Sequence, residues 1–87
     1  MSDMLAIHRS IINSIDVKIK NALIERYNIV LQIKKEKEKQ NLPILDSNRE
    51  NKVLASVRVD DDEKLNNYIK NIFISIMNES KAIQKRE

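Results

Sequence analysis

From Met4 to about Lys39 the apolar residues recur at alternating steps of four and three, with no glycine or proline to break the run. Ile12, Ile15, Ile19, Ala22, Val30 and Ile33 fall on one stripe, with Ile11, Leu23 and Ile24 beside it. That spacing predicts an amphipathic helix. At about 1.5 Å per residue it would be on the order of 50 Å long, far longer than an 87-residue globule is wide. A helix of that length cannot bury its stripe inside its own chain; it needs a second copy alongside.

Composition removes the other routes to stability. A core this small rarely supplies more than roughly 3–5 kcal/mol, so short chains need a staple or a partner. There is no cysteine for a disulfide, and His8 is the single histidine, which argues against a structural zinc. Only Tyr27, Tyr68 and Phe73 are aromatic, so aliphatic side chains must build the core. The absence of glycine and the lone Pro43 suit helices and argue against a sheet built on tight turns.

The segment Gln40–Leu45 interrupts the period, and Pro43 stops the helix. Ser47 and Glu50 have the spacing of a capping box, and Val53, Leu54 and Val57 continue a short second helix begun near Asp46 or Ser47. Asp60, Asp61 and Asp62 offer an N-cap for a third, whose stripe is Leu65, Ile69, Ile72, Ile76 and Ile83, with Tyr68, Phe73 and Met77 alongside. The expectation is an all-α chain of one domain, 1–87, with helices at about 4–40, 47–58 and 61–85, paired as an intertwined helical homodimer.

The start, Met1 to Leu5, lacks the basic and apolar stretches of a signal peptide, and no run approaches a membrane span. A cytoplasmic protein that does not enter membranes is the expectation. The net charge is only +3, and the run Lys34–Lys39 interleaves cations with acids, which reads as a solvated helix face rather than a nucleic-acid strip.

Two cations sit where the stripe calls for apolar residues. Arg26 lies between Ala22 and Val30, and Lys37 follows Ile33. Charges on a core face need anions nearby. Either Arg26 pairs with Glu25, Glu50 or Glu79 while Lys37 lies beyond the core, or both face a small anionic ligand. The two are about 20° apart around the helix and about 16 Å along it, so long side chains could converge. Arg9 stands about 25 Å before Arg26 and roughly 100° around, too far to reach the same small molecule within one chain. If Arg9 contributes, it comes from the partner subunit. The third stripe likewise turns polar at Ser80 and Gln84.

Taken in order, His8-Arg9-x-x-Ile12-x-x-Ile15-Asp16, Glu25-Arg26, Lys34-x-x-Lys37, Pro43-x-x-Asp46-x-x-Arg49-Glu50 and Phe73-x-x-Ile76-Met77-x-x-Ser80-x-x-x-Gln84 resemble the active-site signature of the all-helical chorismate mutases. The resemblance covers nearly the whole chain; its visible departure is a short connection between the second and third helices. It implies an antiparallel homodimer with two equivalent sites, each completed by Arg9 of the other chain, and a reaction needing neither metal nor cofactor: the rearrangement of chorismate to prephenate, on the way to phenylalanine and tyrosine. It also implies the roles. Arg26, helped by the Ser80 region, binds the ring carboxylate and Arg9 the enolpyruvyl carboxylate, arginine's fork suiting both. Lys37 and Gln84 donate to the ether oxygen. Glu50 accepts from the ring hydroxyl, Asp46 acts mainly through its backbone, and Arg49 orients Glu50. Docking onto another shikimate-pathway enzyme is a further partner the resemblance admits. The same fold carries isochorismate pyruvate-lyase, from which the Asp46-x-x-Arg49-Glu50 motif points away. A non-catalytic helical dimerisation module gives no reason for Arg26 and Lys37 to lie in the core register.

Overall fold

The computed structural model describes residues 3–85, so residues 1, 2, 86 and 87 of the expected domain lie outside the described residues. They form three helices, α1 (Met4–Gln40), α2 (Ser47–Ser56) and α3 (Glu63–Lys85), with no strand among them. The fold is all-helical, as the periodicity predicts. α1 packs on α3, and α2 packs on α3 in turn.

Local chemistry sets each helix end. Asp3 caps α1, its carboxylate accepting from the Ala6 N–H at 3.1 Å. Pro43 alone does not stop α1. Asn41 adopts the left-handed conformation at φ 55°, and the Leu42 N–H closes back on the Lys37 carbonyl at 2.9 Å. The cap of α2 is Asp46, which accepts from the Arg49 N–H at 3.0 Å. The expected Ser47–Glu50 capping box is therefore corrected: Ser47 is already the first helical residue, and the Glu50 carboxylate is engaged elsewhere.

The expected limits of 58 for α2 and 61 for α3 also move inward. Val57 caps α2 and Asp61 sits at φ 64°, so the chain turns here. Asp62 then caps α3 by accepting from the Leu65 N–H at 3.0 Å. The turn is clamped by Asn66, a buried side chain whose Oδ1 accepts from the Val59 N–H at 3.1 Å.

The chain has almost no core of its own. Among the described residues only Val30 and Met77 are buried hydrophobics, and no large side chain is fully enclosed. The radius of gyration is 16.9 Å, against about 12 Å for a compact chain of this length. The exposed surface is 7408 Å², about 2,100 Å² above the roughly 5,300 Å² of a compact monomer of this mass. Ile11, Ile12, Ile15, Ile19, Leu23, Ile24 and Ile33, most of the predicted stripe with its flank, are exposed in the single chain.

The expected stripe of α3 is turned inward only in part: Ile69, Ile76 and Ile83 are half-buried. Its inward line is Asn66, Met77 and Gln84, which lie within about 20° of one another around the helix. Leu65 and Ile72 point outward, 41% and 43% exposed, and Tyr68 is exposed with them. The outward edge of α3 faces the same open groove as Leu23 and Tyr27 of α1, so the apolar face runs across both helices.

Candidate functional site

The site lies where the second half of α1 meets the last third of α3. Arg26 projects from α1 and donates through Nη1 to the Ser80 hydroxyl of α3. Ser80 in turn donates to the Ile76 carbonyl at 2.9 Å, which orients the hydroxyl lone pairs toward the guanidinium. One turn later Gln84 is buried; its Nε2 donates to the Ser80 carbonyl at 3.2 Å, and its Oε1 has no partner. An amide nitrogen carries two hydrogens, so Gln84 keeps a second donor and an acceptor for something else.

Lys37 reaches the loop after α1, donating to the Ile44 carbonyl at 2.6 Å. That bond depends on the sharp stop at Asn41, which folds residues 42–45 back beside the last turn of α1. Lys37 and Gln84 line a hollow of about 530 Å³ with Lys34, Asn41 and Ile44. Arg26 and Ser80 line the neighbouring groove of about 710 Å³, walled by Leu23, Tyr27, Ile72, Ile76 and Ile83. Both are of a size that takes small ligands.

Arg26 and Lys37 are half-buried, yet among the described residues neither has a carboxylate within ion-pairing distance. This answers the alternative in which Arg26 pairs with Glu25, Glu50 or Glu79. A half-buried cation bonded only to neutral oxygens keeps an unbalanced positive potential, suited to an anion.

The remaining expected site residues divide. Glu50, on the first turn of α2, is half-buried and ion-paired with Lys81 of α3, Oε2 to Nζ 3.1 Å. Lys81 was not among the residues the sequence singles out; on a helix rich in exposed lysines, only its position beside Ser80 could have marked it. Arg49 and Asp46 are exposed, and the Asp46 side chain is occupied as the helix cap. The structure brings Arg26, Lys37, Ser80 and Gln84 to one junction, with Glu50 beside it through Lys81. Arg9 is not brought there. It stands exposed in the first turns of α1, about 25 Å along the helix from Arg26.

Among the described residues no group of three or more His, Cys, Asp or Glu side chains is placed to hold a metal ion, and no helix is long and apolar enough to cross a membrane. Neither a curated protein nor a solved structure matches the chain. A family model does: the one described as chorismate mutase type II matches residues 8–85, nearly the whole sequence. The chain belongs to the chorismate mutase type II family, a family of helical isomerases whose substrate is chorismate.

Proposed function

We propose that this protein rearranges chorismate to prephenate as a homodimer in the cytoplasm, supplying phenylalanine and tyrosine synthesis, with the whole chain 1–87 acting as one domain. The observation that carries this reading is the pair of half-buried cations, Arg26 and Lys37, without carboxylate partners, beside a buried glutamine with bonding capacity to spare. Chorismate is a dianion with an ether oxygen, and it needs the same groups that the junction offers.

The reaction is an intramolecular Claisen rearrangement: the ether C–O bond breaks as a C–C bond forms, and no proton or electron leaves the substrate. Arg26 binds the ring carboxylate, its guanidinium oriented by Ser80. Arg9 of the partner subunit binds the enolpyruvyl carboxylate. Holding both ends confines the flexible side chain to the compact, reactive conformer. Negative charge grows on the ether oxygen as the bond breaks, and Lys37 and the free N–H of Gln84 donate to it there. Such donors stabilise the transition state more than the ground state. Lys37 exchanges its bond to the Ile44 carbonyl for one to the substrate, so the ammonium is desolvated and oriented before the ligand arrives. Glu50 accepts from the ring hydroxyl, and Asp46 sets the entry of α2 that presents Glu50.

Two copies are required because the apolar face of α1 has no cover in one chain. Burying the excess surface of both chains removes about 4,200 Å², within the roughly 2,000–5,000 Å² of obligate dimers. An antiparallel pairing of α1 with its copy covers the stripe and delivers Arg9 to the far junction.

The test is the loss of chorismate absorbance, with prephenate identified as product, run beside Lys37→Ala and Gln84→Ala. Each variant should lower kcat by about 10²–10³-fold, the cost of one lost transition-state donor. A folded wild-type dimer that leaves chorismate untouched would sink the reading; release of pyruvate from isochorismate would replace it with the lyase reaction.

A further inference from the structure

Most ion pairs among the described residues lie at the surface, within one helix or around the α2–α3 turn, with side chains half-exposed or more. Exposed pairs of that kind are worth little. Lys81–Glu50 differs: it joins α3 to α2, and its side chains are 25% and 27% exposed. Lys81 directly follows Ser80 and precedes Gln84 by three residues, so it rises from the same helical turn as the groups at the junction. Arg49, by contrast, is exposed, and no bond from its side chain to Glu50 occurs among the described residues; its backbone N–H serves the Asp46 cap.

We propose that Lys81 is the positioning residue for Glu50, a role the neighbouring Arg49 does not fill. The inference rests on the reading above, in which Glu50 accepts a hydrogen bond from the ring hydroxyl. A carboxylate has two oxygens with two lone pairs each. Lys81 takes Oε2, which holds the carboxylate in one rotamer and leaves Oε1 for the substrate. Glu50 is a long side chain on the first turn of a short helix, and without the ammonium it would swing among several rotamers. Tying it to α3 fixes it relative to Ser80 and Gln84, so the hydroxyl acceptor and the groups around the reacting atoms share one frame. A brace that merely joined α2 to α3 would use the same contact, and the two roles separate by experiment.

The experiment compares kcat and KM of the wild-type dimer with Lys81→Met, Lys81→Arg, Glu50→Ala and the Glu50→Ala/Lys81→Met double variant. Each is assayed with chorismate and with an analogue whose ring hydroxyl is replaced by hydrogen. That hydroxyl takes no part in the bonds made and broken, so the analogue can still rearrange. Lys81→Met should lower kcat/KM for chorismate about tenfold, a misplacement effect. With the deoxy analogue its loss should stay under about twofold, and in the Glu50→Ala background it should add nothing, as expected for two residues acting through one contact. Lys81→Arg should recover most of the activity. Equal losses on both substrates, or full additivity with Glu50→Ala, would overturn the positioning role and leave a brace. Should Lys81→Met fail to fold, Lys81→Gln takes its place in the same comparison: a loss on chorismate that the analogue escapes supports the role, and a loss shared by the analogue overturns it. A wild-type dimer inert toward chorismate would instead remove the functional reading itself, and this inference with it.

Discussion

The two halves of α1 carry the same apolar period and meet opposite fates. From Arg26 onward the helix lies on α3: Val30 is buried, and Arg26, Leu31, Lys34 and Lys37 are half-buried. From Met4 to Glu25 every residue is exposed, although Ile7, Ile11, Ile12, Ile15, Ile19, Leu23 and Ile24 recur as regularly as anything downstream. Periodicity therefore tells which face of a helix is meant to be dry, not which molecule dries it. A monomeric protein rarely exposes so continuous an apolar face, and one this long marks an interface. The division also separates the charges. Arg26 and Lys37 belong to the half that the chain folds over itself, and Arg9 to the exposed half.

That comparison breaks most readily at Ile15. An aspartate there is harmless if the first half of α1 faces water, but costs several kcal/mol if a partner desolvates it. Ile15→Asp should convert a dimer to a monomer in sedimentation, with loss of helical signal and of activity, since obligate dimers have no stable folded monomer. A variant that stays dimeric and folded would show that the exposed half is not the interface.

A somewhat smaller effect sharpens the division of charges. Arg9→Ala and Arg26→Ala should each lower kcat/KM by roughly a thousandfold, about 4 kcal/mol for a truncated buried ion contact. Subunits of the two variants, unfolded and refolded together, should regain about a quarter of wild-type activity, because half the dimers then hold one intact site. No recovery on mixing would mean that the two arginines do not act across a dimer.

The smallest effect tests the part of the fold that one chain completes alone. Asn66→Ala leaves the Val59 N–H without its acceptor and should lower unfolding free energy by about 1–3 kcal/mol in urea. At equal folded fraction kcat should stay within about twofold, because the α2–α3 turn touches none of the proposed substrate groups. A collapse of kcat without loss of stability would place the turn in the chemistry.

Much of this architecture was legible beforehand. The span of α1, the break after Gln40, the aspartate cap of α3 and the intrusion of Arg26, Lys37, Ser80 and Gln84 into apolar faces all follow from spacing and residue type. What escaped was polar burial. Asn66 and Lys81 occur on a helix crowded with other asparagines and lysines, and nothing in their spacing separates a clamp or an interhelical ion pair from a solvated side chain. The α3 stripe was legible as apolar, and Ile69, Ile76 and Ile83 are half-buried, but Leu65 and Ile72 are exposed. Ile72 borders the open groove, whereas the line facing α1 and α2 includes Asn66 and Gln84. The Ser47–Glu50 spacing misled because a capping box needs a free glutamate, and Glu50 finds a full charge on α3 instead.

By itself the sequence determined the helices, because propensity, caps and breakers act within a few residues of the chain. It also determined that the long stripe cannot be covered within one chain, because a helix of about 55 Å cannot be wrapped by the 47 residues that follow it. Tertiary structure alone decided which way α3 turns, that Arg26 meets Ser80, that Lys37 rests on the Ile44 carbonyl, and that Glu50 belongs to Lys81. Those pairings join residues far apart in sequence or across a loop. Their partners are chosen by how two helices rotate against each other, a variable on which local periodicity is silent.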